Sequence, residues 1–289
     1  MVTIAYLGPE KTNTYVAALK RFGKSASYLH APTIDEVFDL VERRKAEYGV
    51  VPVENSLEGA VTHTLDRFID FLETPVRIRG EIQLGIQHAF IAHPGTKLQA
   101  IAVVFSHPQA LAQCRDWIRR HLLFAESWET ASTAEAVQCL LPERQWYPNS
   151  RVKIRVPPRF RAAIARAELA KGRGLRAIPI PDSRENKTRF LVLGLTEPKR
   201  GRRNKTSLLF ALKDRPGALH DALVPFKRNR INLTKIESRP SKRKAWEYLF
   251  FIDVDGHASE PRLRRALEAL ARSTSLLRVL GSYPIGPRR

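Results

Sequence analysis

Cysteine is nearly absent: Cys114 and Cys139 are the whole complement of a 289-residue chain. That excludes a disulfide scaffold and an all-cysteine metal site within one chain, and it suits a reducing compartment. No run approaches the roughly 18 uninterrupted apolar residues that a membrane helix needs. The amino-terminal stretch MVTIAYLGPEKT has no basic start followed by a long apolar run, so no secretory signal is expected and the cytoplasm is the expected compartment. No GxSxG elbow, P-loop or GxGxxG is present, and the eight histidines show no HExxH or paired metal-ligand spacing.

What is present is a globular composition. Hydrophobic residues make up 43% and charged residues 27% of the chain, a balance that builds a core. The length suits one large domain or two ordinary ones of about 100–200 residues. The net charge is +20, and it is uneven. Residues 1–139 hold 14 Lys/Arg against 16 Asp/Glu, residues 140–200 hold 15 against 5, and residues 201–289 hold 20 against 8. Such a field attracts anionic metabolites or nucleic acid. The chain shows no helix-turn-helix, zinc knuckle or aromatic-laced RNA motif, so specific nucleic-acid binding is not expected.

Periodicity alternates along the first two-thirds. Residues 3–8, 48–56, 86–92, 100–106 and 188–195 read as strands. Residues 13–22, 33–46, the stretch around Val61, Leu65, Phe68, Ile69 and Leu72, and residues 108–122, 132–141 and 161–172 read as helices. Thr33 with Glu36 and Ser132 with Glu135 have capping-box spacing. Residues 142–160, rich in Pro and Arg, read as an exposed excursion or a short hairpin. The alternation argues for an α/β region with parallel strand pairs. After a basic linker at 197–205, the remainder reads strand (206–213), helix (215–229), strand (231–238), strand (247–255), helix (260–274), strand (275–283). That βαββαβ order is ferredoxin-like.

Several strands end in a small or polar loop that opens a helix: Gly8-Pro9…Thr12, Glu54-Asn55-Ser56, Ser106-His107-Pro108-Gln109 and Ser132-Thr133. In α/β folds such ends present free N–H groups that suit a carboxylate. Each loop is equally explained as ordinary capping. Thr188 offers a hydroxyl and Arg189 a planar cation, as a site or as the start of a strand. Cys114 reads as a small core residue, and His63 and His107 as capping or core histidines.

The motifs resemble those of the prephenate dehydratase family. The resemblance is carried by Val51-Pro52-Val53-Glu54-Asn55-Ser56-Leu57-Glu58-Gly59 with Thr64-Leu65-Asp66, by Asn186-Lys187-Thr188-Arg189-Phe190, by residues 106–114, and by Ser132-Thr133-Ala134. The tail resembles an ACT regulatory domain through Gly217-Ala218-Leu219-His220 and Glu237-Ser238-Arg239-Pro240. The resemblance implies a bilobed α/β catalytic region like that of periplasmic binding proteins (residues 1–196), followed by the linker and an ACT domain (206–289). It implies conversion of prephenate to phenylpyruvate, water and CO2, without a metal or organic cofactor. It also implies inhibition by L-phenylalanine and assembly into a homodimer or homotetramer. Thr188 is the implied catalytic hydroxyl. Thr12, Asn55, Ser56, Gly59, Arg189 and Phe190 are the implied substrate-binding residues, with Arg189 alternatively a structural ion-pair partner. Gly217, Ala218, Leu219, Glu237, Ser238, Arg239 and Pro240 are the implied effector-binding residues. Arogenate as substrate, or a non-catalytic amino-acid sensor on the same fold, are the alternatives.

The chain departs from the family pattern in three places. Lys11 stands where the first loop usually has glycine and Asn13 where it has an aromatic residue, which is expected to alter affinity more than to abolish activity. Residues 142–160 are longer and more basic than usual, and Arg173-Gly174-Leu175 replaces Tyr-Gly-Leu. These last two changes are expected to affect surface or subunit contacts.

Overall fold

A computed structural model of the chain describes residues 1–10, 12–57, 59–70, 74–147, 153–181, 186–213, 215–241 and 248–285. The fold divides into two compact units. One comprises Met1–Pro9, Ala17–Gln83 and Arg189–Arg289, and the other Glu10–Val16 and Leu84–Thr188.

The first unit holds two sheets. Its first sheet is built from β1 (Thr3–Leu7), β2 (Ser27–Ala31), β3 (Tyr48–Asn55), β4 (Gly59–Ala60), β5 (Arg77–Gly85) and, far along the chain, β11 (Lys187–Gly194). The order is β2-β1-β3-β11-β5, with β4 hairpinned onto β3, and β1 runs parallel to both β2 and β3. Helices α1 (Asn13–Phe22), α2 (Ile34–Glu42) and α3 (Thr62–Asp70) connect these strands. The Thr33 hydroxyl caps α2 by accepting from the Glu36 amide at 3.2 Å. Val37, Phe38 and Val41 then face the core. The apolar stripe expected around Leu65 forms α3, and Leu72 lies outside the described residues.

Strands β2, β4 and β5, and two of the second unit at Glu126–Glu129 and Arg176–Pro179, escape a periodicity reading. Strand β2 is half-exposed and short. Strand β8 (Glu126–Glu129) is an exposed edge. Strand β5 carries charges, yet Ile78, Gly80, Ile82 and Leu84 are its buried positions, a period of two with arginine and glutamate interleaved.

The second unit is built on a five-stranded sheet, β10-β6-β9-β7-β8. Besides β8 it contains β6 (Ala89–Ala92), β7 (Val103–Ser106), β9 (Arg161–Ala165) and β10 (Arg176–Pro179). Its helices are α4 (Pro108–Gln113), α5 (Arg115–His121) and α6 (Thr133–Gln138). The single helix expected at 108–122 is two helices that meet at Cys114.

The helix expected at 161–172 is corrected. Residues 161–165 form β9, the central strand, parallel to β7 and antiparallel to β6. Ala163 and Ala165 join a core with α6, while Ala162 and Ile164 join a core with α4 and α5. A strand covered by helices on both faces needs apolar residues on both, and Ala162, Ala163, Ile164 and Ala165 supply them. That packing overrides alanine's helix preference, the highest of any residue but a small term beside burial. The preceding excursion has a hairpin-like bridge between Trp146 and Lys153, while residues 148–152 lie outside the described set.

The last sheet, in the order β13-β14-β12-β15, uses β12 (Asn204–Leu212), β13 (Leu233–Pro240), β14 (Tyr248–Asp255) and β15 (Thr274–Pro284). Helices α7 (Ala218–Arg228) and α8 (Pro261–Ser273) cover one face, where Leu208, Phe210, Ile252 and Val254 meet Ala222, Phe226, Leu263 and Leu270. The opposite face presents Leu209, Ala211, Leu249, Phe251, Leu280 and Tyr283 to Val53, Leu65, Phe68, Ile78 and Leu191 of the first sheet's side. One continuous core therefore joins the ferredoxin-like tail to the first sheet. At its tightest point Gly281 lies on the Ile78 backbone, and a Cβ there would sit 2.1 Å from the Ile78 carbonyl oxygen.

Gly281→Ala is expected to force β15 off β5 and to cost about 1–3 kcal/mol, as overpacking does. Thermal unfolding measures this, with Gly85→Ala as the control because no atom lies within 4 Å of its added Cβ.

Candidate functional site

Strands β1 and β3 are parallel neighbours, so the loops after them leave the first sheet at the same edge. The Asn55 side chain turns back on its own loop: its Oδ1 accepts the Leu57 amide at 3.0 Å. Asn55 also pairs across the hairpin with Gly59, whose φ of 84° is one that side chains resist. Asn55 is thus buried and held, while Ser56 is exposed at the tip.

The second unit repeats the device. Strands β7 and β8 are parallel neighbours. The Thr130 amide donates to the Ser106 carbonyl at 2.9 Å, which draws the two following loops together. Nδ1 of His107 accepts the Gln109 amide, and the Ser132 hydroxyl accepts the Glu135 amide, so each caps its helix. Thr12 opens α1, its hydroxyl accepting the Tyr15 amide and its carbonyl the Val16 amide. Asn13 is the first residue of that helix. Lys11 lies outside the described residues.

Thr188 sits at the start of β11 and is buried, with 9% of its surface exposed. Two residues earlier, Asn186 is 1% exposed and donates from Nδ2 to Oε1 of Gln113 at 2.6 Å. The same oxygen lies 2.9 Å from Nε2 of His88. An oxygen can only accept, so the His88 imidazole carries its proton on Nε2. The Asn186 carbonyl accepts the Ile86 amide at 2.7 Å. This buried Asn186–Gln113–His88 network fixes the entry to the strand that bears Thr188. Sequence reasoning did not single out His88 or Gln113. Gln113 lies within the family-like segment 106–114 as the last residue of α4, and a polar residue at the end of a short helix gave no further signal.

Arg189 takes the other side of the strand. Neighbouring residues of a strand point to opposite faces, so Thr188 and Arg189 diverge. The Arg189 guanidinium, 12% exposed, lies 2.8 Å from Glu81, 2.6 Å from Asp253 and 3.4 Å from Glu54, and it donates to the Tyr283 hydroxyl at 3.2 Å. Lys205 adds a 2.7 Å contact to Glu81, and Lys235 a 3.2 Å contact to Glu54. Three cations thereby balance three carboxylates. The Ser207 hydroxyl donates to Asp253 at 2.5 Å, which leaves the Tyr283 hydroxyl, 2.9 Å away, as the donor to Ser207. Burial works against the Arg189 charge, but Asp253, Tyr283 and Glu81 outweigh it and hold the guanidinium pKa above its ordinary value. Burial, helped by the Asp253 charge, pushes the Tyr283 phenol up. Of the two roles open to Arg189, its contacts match the ion-pair partner. Phe190, on the Thr188 side of the strand, is fully buried.

The two tail segments come to one end of the last sheet, since Ala211 and Arg239 are both register partners of Leu249. Gly217 caps α7, with Ala218 and Leu219 in its first turn. Glu237, Ser238, Arg239 and Pro240 end β13. Arg239 grips both carboxylate oxygens of Asp66 on α3, at 3.1 and 3.2 Å. His220 is exposed and pairs with Asp221.

The cysteines are buried and unbridged, and burial pushes the Cys139 thiol up to about 11, which suits core packing rather than attack. Among the described residues no three His, Cys, Asp or Glu side chains gather as metal ligands, and no helix is long and apolar enough to cross a membrane.

These features define a class: an α/β region of two sheets, with capped loops at its strand ends, joined to a ferredoxin-like domain of the ACT type. The prephenate dehydratase family model matches residues 4–198, and the ACT domain model matches residues 206–272. The chain belongs to the prephenate dehydratase family. It is 44% identical, over 98% of its length and 74% of the relative's, to a bifunctional chorismate mutase/prephenate dehydratase of Aquifex aeolicus. Among solved structures it is similar to the prephenate dehydratase of Arthrobacter aurescens in complex with L-Phe, with a TM-score of 0.83 and 33% identity over 98% of this chain and 90% of that one. It is also similar to GqqA, described as a novel type of quorum-quenching acylase, with a TM-score of 0.78 and 27% identity over 99% and 98% of the two chains. One fold thus carries different described activities, and the site residues must carry the argument.

Arg189→Met is expected to leave Glu54, Glu81 and Asp253 facing only two lysines. Breaking a buried pair in this way costs about 3–5 kcal/mol. Denaturant unfolding measures the loss. Arg189→Lys should recover only part of it, because an ammonium lacks the planar fork.

Proposed function

We propose that this enzyme converts prephenate to phenylpyruvate, water and CO2, and that L-phenylalanine inhibits it. Prephenate is a dianion. Its ring carboxylate leaves as CO2 while the C4 hydroxyl departs as water, and the ring becomes aromatic. The protein has to hold two carboxylates and assist one departing hydroxyl.

The observation that carries this reading is the placement of Thr188, set on a strand whose entry is fixed by the buried Asn186–Gln113–His88 network. A threonine is a poor bulk acid, so Thr188 acts through a positioned hydrogen bond to the leaving oxygen, worth most where water is excluded. Asn55, Ser56, Gly59 and Thr12 supply side-chain and backbone donors for the carboxylates. Phe190 supports Thr188 from within the core and does not touch substrate. Arg189 acts as a positioning residue rather than a substrate ligand.

The regulatory reading extends the same contacts. L-Phenylalanine sits between the Gly217-Ala218-Leu219 turn and Glu237, Ser238, Arg239 and Pro240, at an interface between subunits of a homodimer or homotetramer. Two site residues have neighbours tied to the tail: Glu54 beside Asn55 contacts Lys235 of β13, and Arg189 beside Thr188 contacts Asp253 of β14. An effector that favours one arrangement of β13 and of β14 paired with it shifts both site residues through these pairs, to the extent that it binds that arrangement more tightly. The expected compartment is the cytoplasm. No cofactor enters the scheme, and the basic second half serves anionic metabolites rather than nucleic acid.

Purified protein should form phenylpyruvate from prephenate, and L-phenylalanine should suppress the rate. Thr188→Ala should lower kcat about 100-fold or more, the usual scale for a lost transition-state donor, while folding and L-phenylalanine binding stay intact. Near-normal turnover in that variant would remove Thr188 from the mechanism. Turnover of arogenate alone would reassign the substrate. Turnover of neither would favour an amino-acid sensor.

A further inference from the structure

A cavity of about 460 Å³ opens where β1 and β3 begin, at the edge of the first sheet opposite the loops that hold Asn55 and Ser56. Its volume falls in the range of small-molecule sites. Val2 precedes β1, Glu47 precedes β3 and Arg79 lies near the start of β5, while Val192 near the end of β11 closes the wall from the strand running through the middle of the sheet.

The lining has a definite chemistry. Phe22 and Tyr48 lie with their rings 5.0 Å apart, and the guanidiniums of Arg21 and Arg79 sit 5.8 and 4.8 Å from the centres of those rings. Among the described residues neither arginine has an ion pair, and Nε of Arg79 is buried without a hydrogen-bond partner. Arg79 is held in place by its own stem. A Cβ on Gly194 would sit 2.4 Å from its Cδ, so the stem lies flat on that glycine. Glu47 supplies the one acidic group of the lining, and the pocket therefore retains one positive charge.

An arginine fixed over an aromatic ring, without a carboxylate partner and facing a cavity of this size, is arranged for a ligand that brings both an anion and a flat apolar body. The single residual charge matches a monoanion. We infer that this cavity binds an aromatic monocarboxylate, its carboxylate on Arg79 and Arg21 and its ring against Phe22 and Tyr48. Pro198 of the linker and Pro284 at the end of β15 complete the wall, so an occupant touches the segments that lead into and out of the ACT sheet. This site is separate from the residues assigned to substrate and effector above, and it stands whether or not that assignment holds.

The test uses 2-naphthoate as probe, titrated calorimetrically into the whole 289-residue chain with and without saturating L-phenylalanine. Cyclohexanecarboxylate serves as the non-aromatic control. We expect one saturable site for naphthoate and a several-fold weaker fit for the control. Arg79→Gln, which keeps most of the stem, should weaken naphthoate binding about tenfold or more, the scale of one charge-assisted contact. Arg21→Gln, at an exposed position that does not threaten folding, should weaken it in the same direction. L-Phenylalanine should not displace the probe. Binding that is unchanged in both variants would place the probe elsewhere and overturn the proposal. So would displacement by prephenate or L-phenylalanine, or an absence of binding up to about 10 mM.

Discussion

One guanidinium organises the interior of the first unit. Arg189 reaches Glu81 on β5, Glu54 on β3 and Asp253 on β14, and so stitches the first sheet to the last across a buried boundary. Such charges are costly to remove from water unless each is paired. Here Lys205 and Lys235 complete the charge pairing, Ser207 donates to Asp253, and Tyr283 accepts from the guanidinium. A planar, five-donor group meets this demand where a lysine would not. The apolar contact around it, from Leu209 and Phe251 to Leu65 and Ile78, supplies the burial, and the ionic cage fixes the register in which the two sheets meet.

That arrangement gives the ACT domain two faces with different work. One face takes its own helices and makes an ordinary ferredoxin-like core. The other carries Lys235 and Arg239 to Glu54 and Asp66, acids that flank or follow the Asn55 loop. The strand expected to sense an effector is thus the strand bonded to the neighbours of the expected site. The coupling we propose therefore runs through ion pairs of β13 rather than along a long pathway.

Much of the fold was legible in residue pattern. Capping by Thr33 and Ser132, the strand at 188–195 and the whole βαββαβ tail follow from local signals, because each element's burial matches its period. Strand β9 was misread as helix because Arg-Ala-Ala-Ile-Ala is ambiguous in isolation. Only the sheet around it, with cores on both faces, selects the extended form. Strand β5 was hidden by alternating charges whose partners lie far away in sequence. The site was legible as a set of motifs, while the division of labour within one motif was not. The sequence places Thr188, Arg189 and Phe190 side by side. The pleat sends Thr188 one way and Arg189 the other.

By itself, then, the sequence determined the family, the α/β region and the regulatory tail, and it nominated the residues proposed to carry chemistry. Those depend on local propensity and on side-chain types in a given order. Tertiary structure alone decided that Arg189 is a clamp, that His88 and Gln113 stand behind Asn186, and that Arg21 and Arg79 share a cavity with Phe22 and Tyr48. Each of these joins residues tens to well over a hundred positions apart. Their meeting depends on which sheet face packs on which, and no local periodicity encodes that.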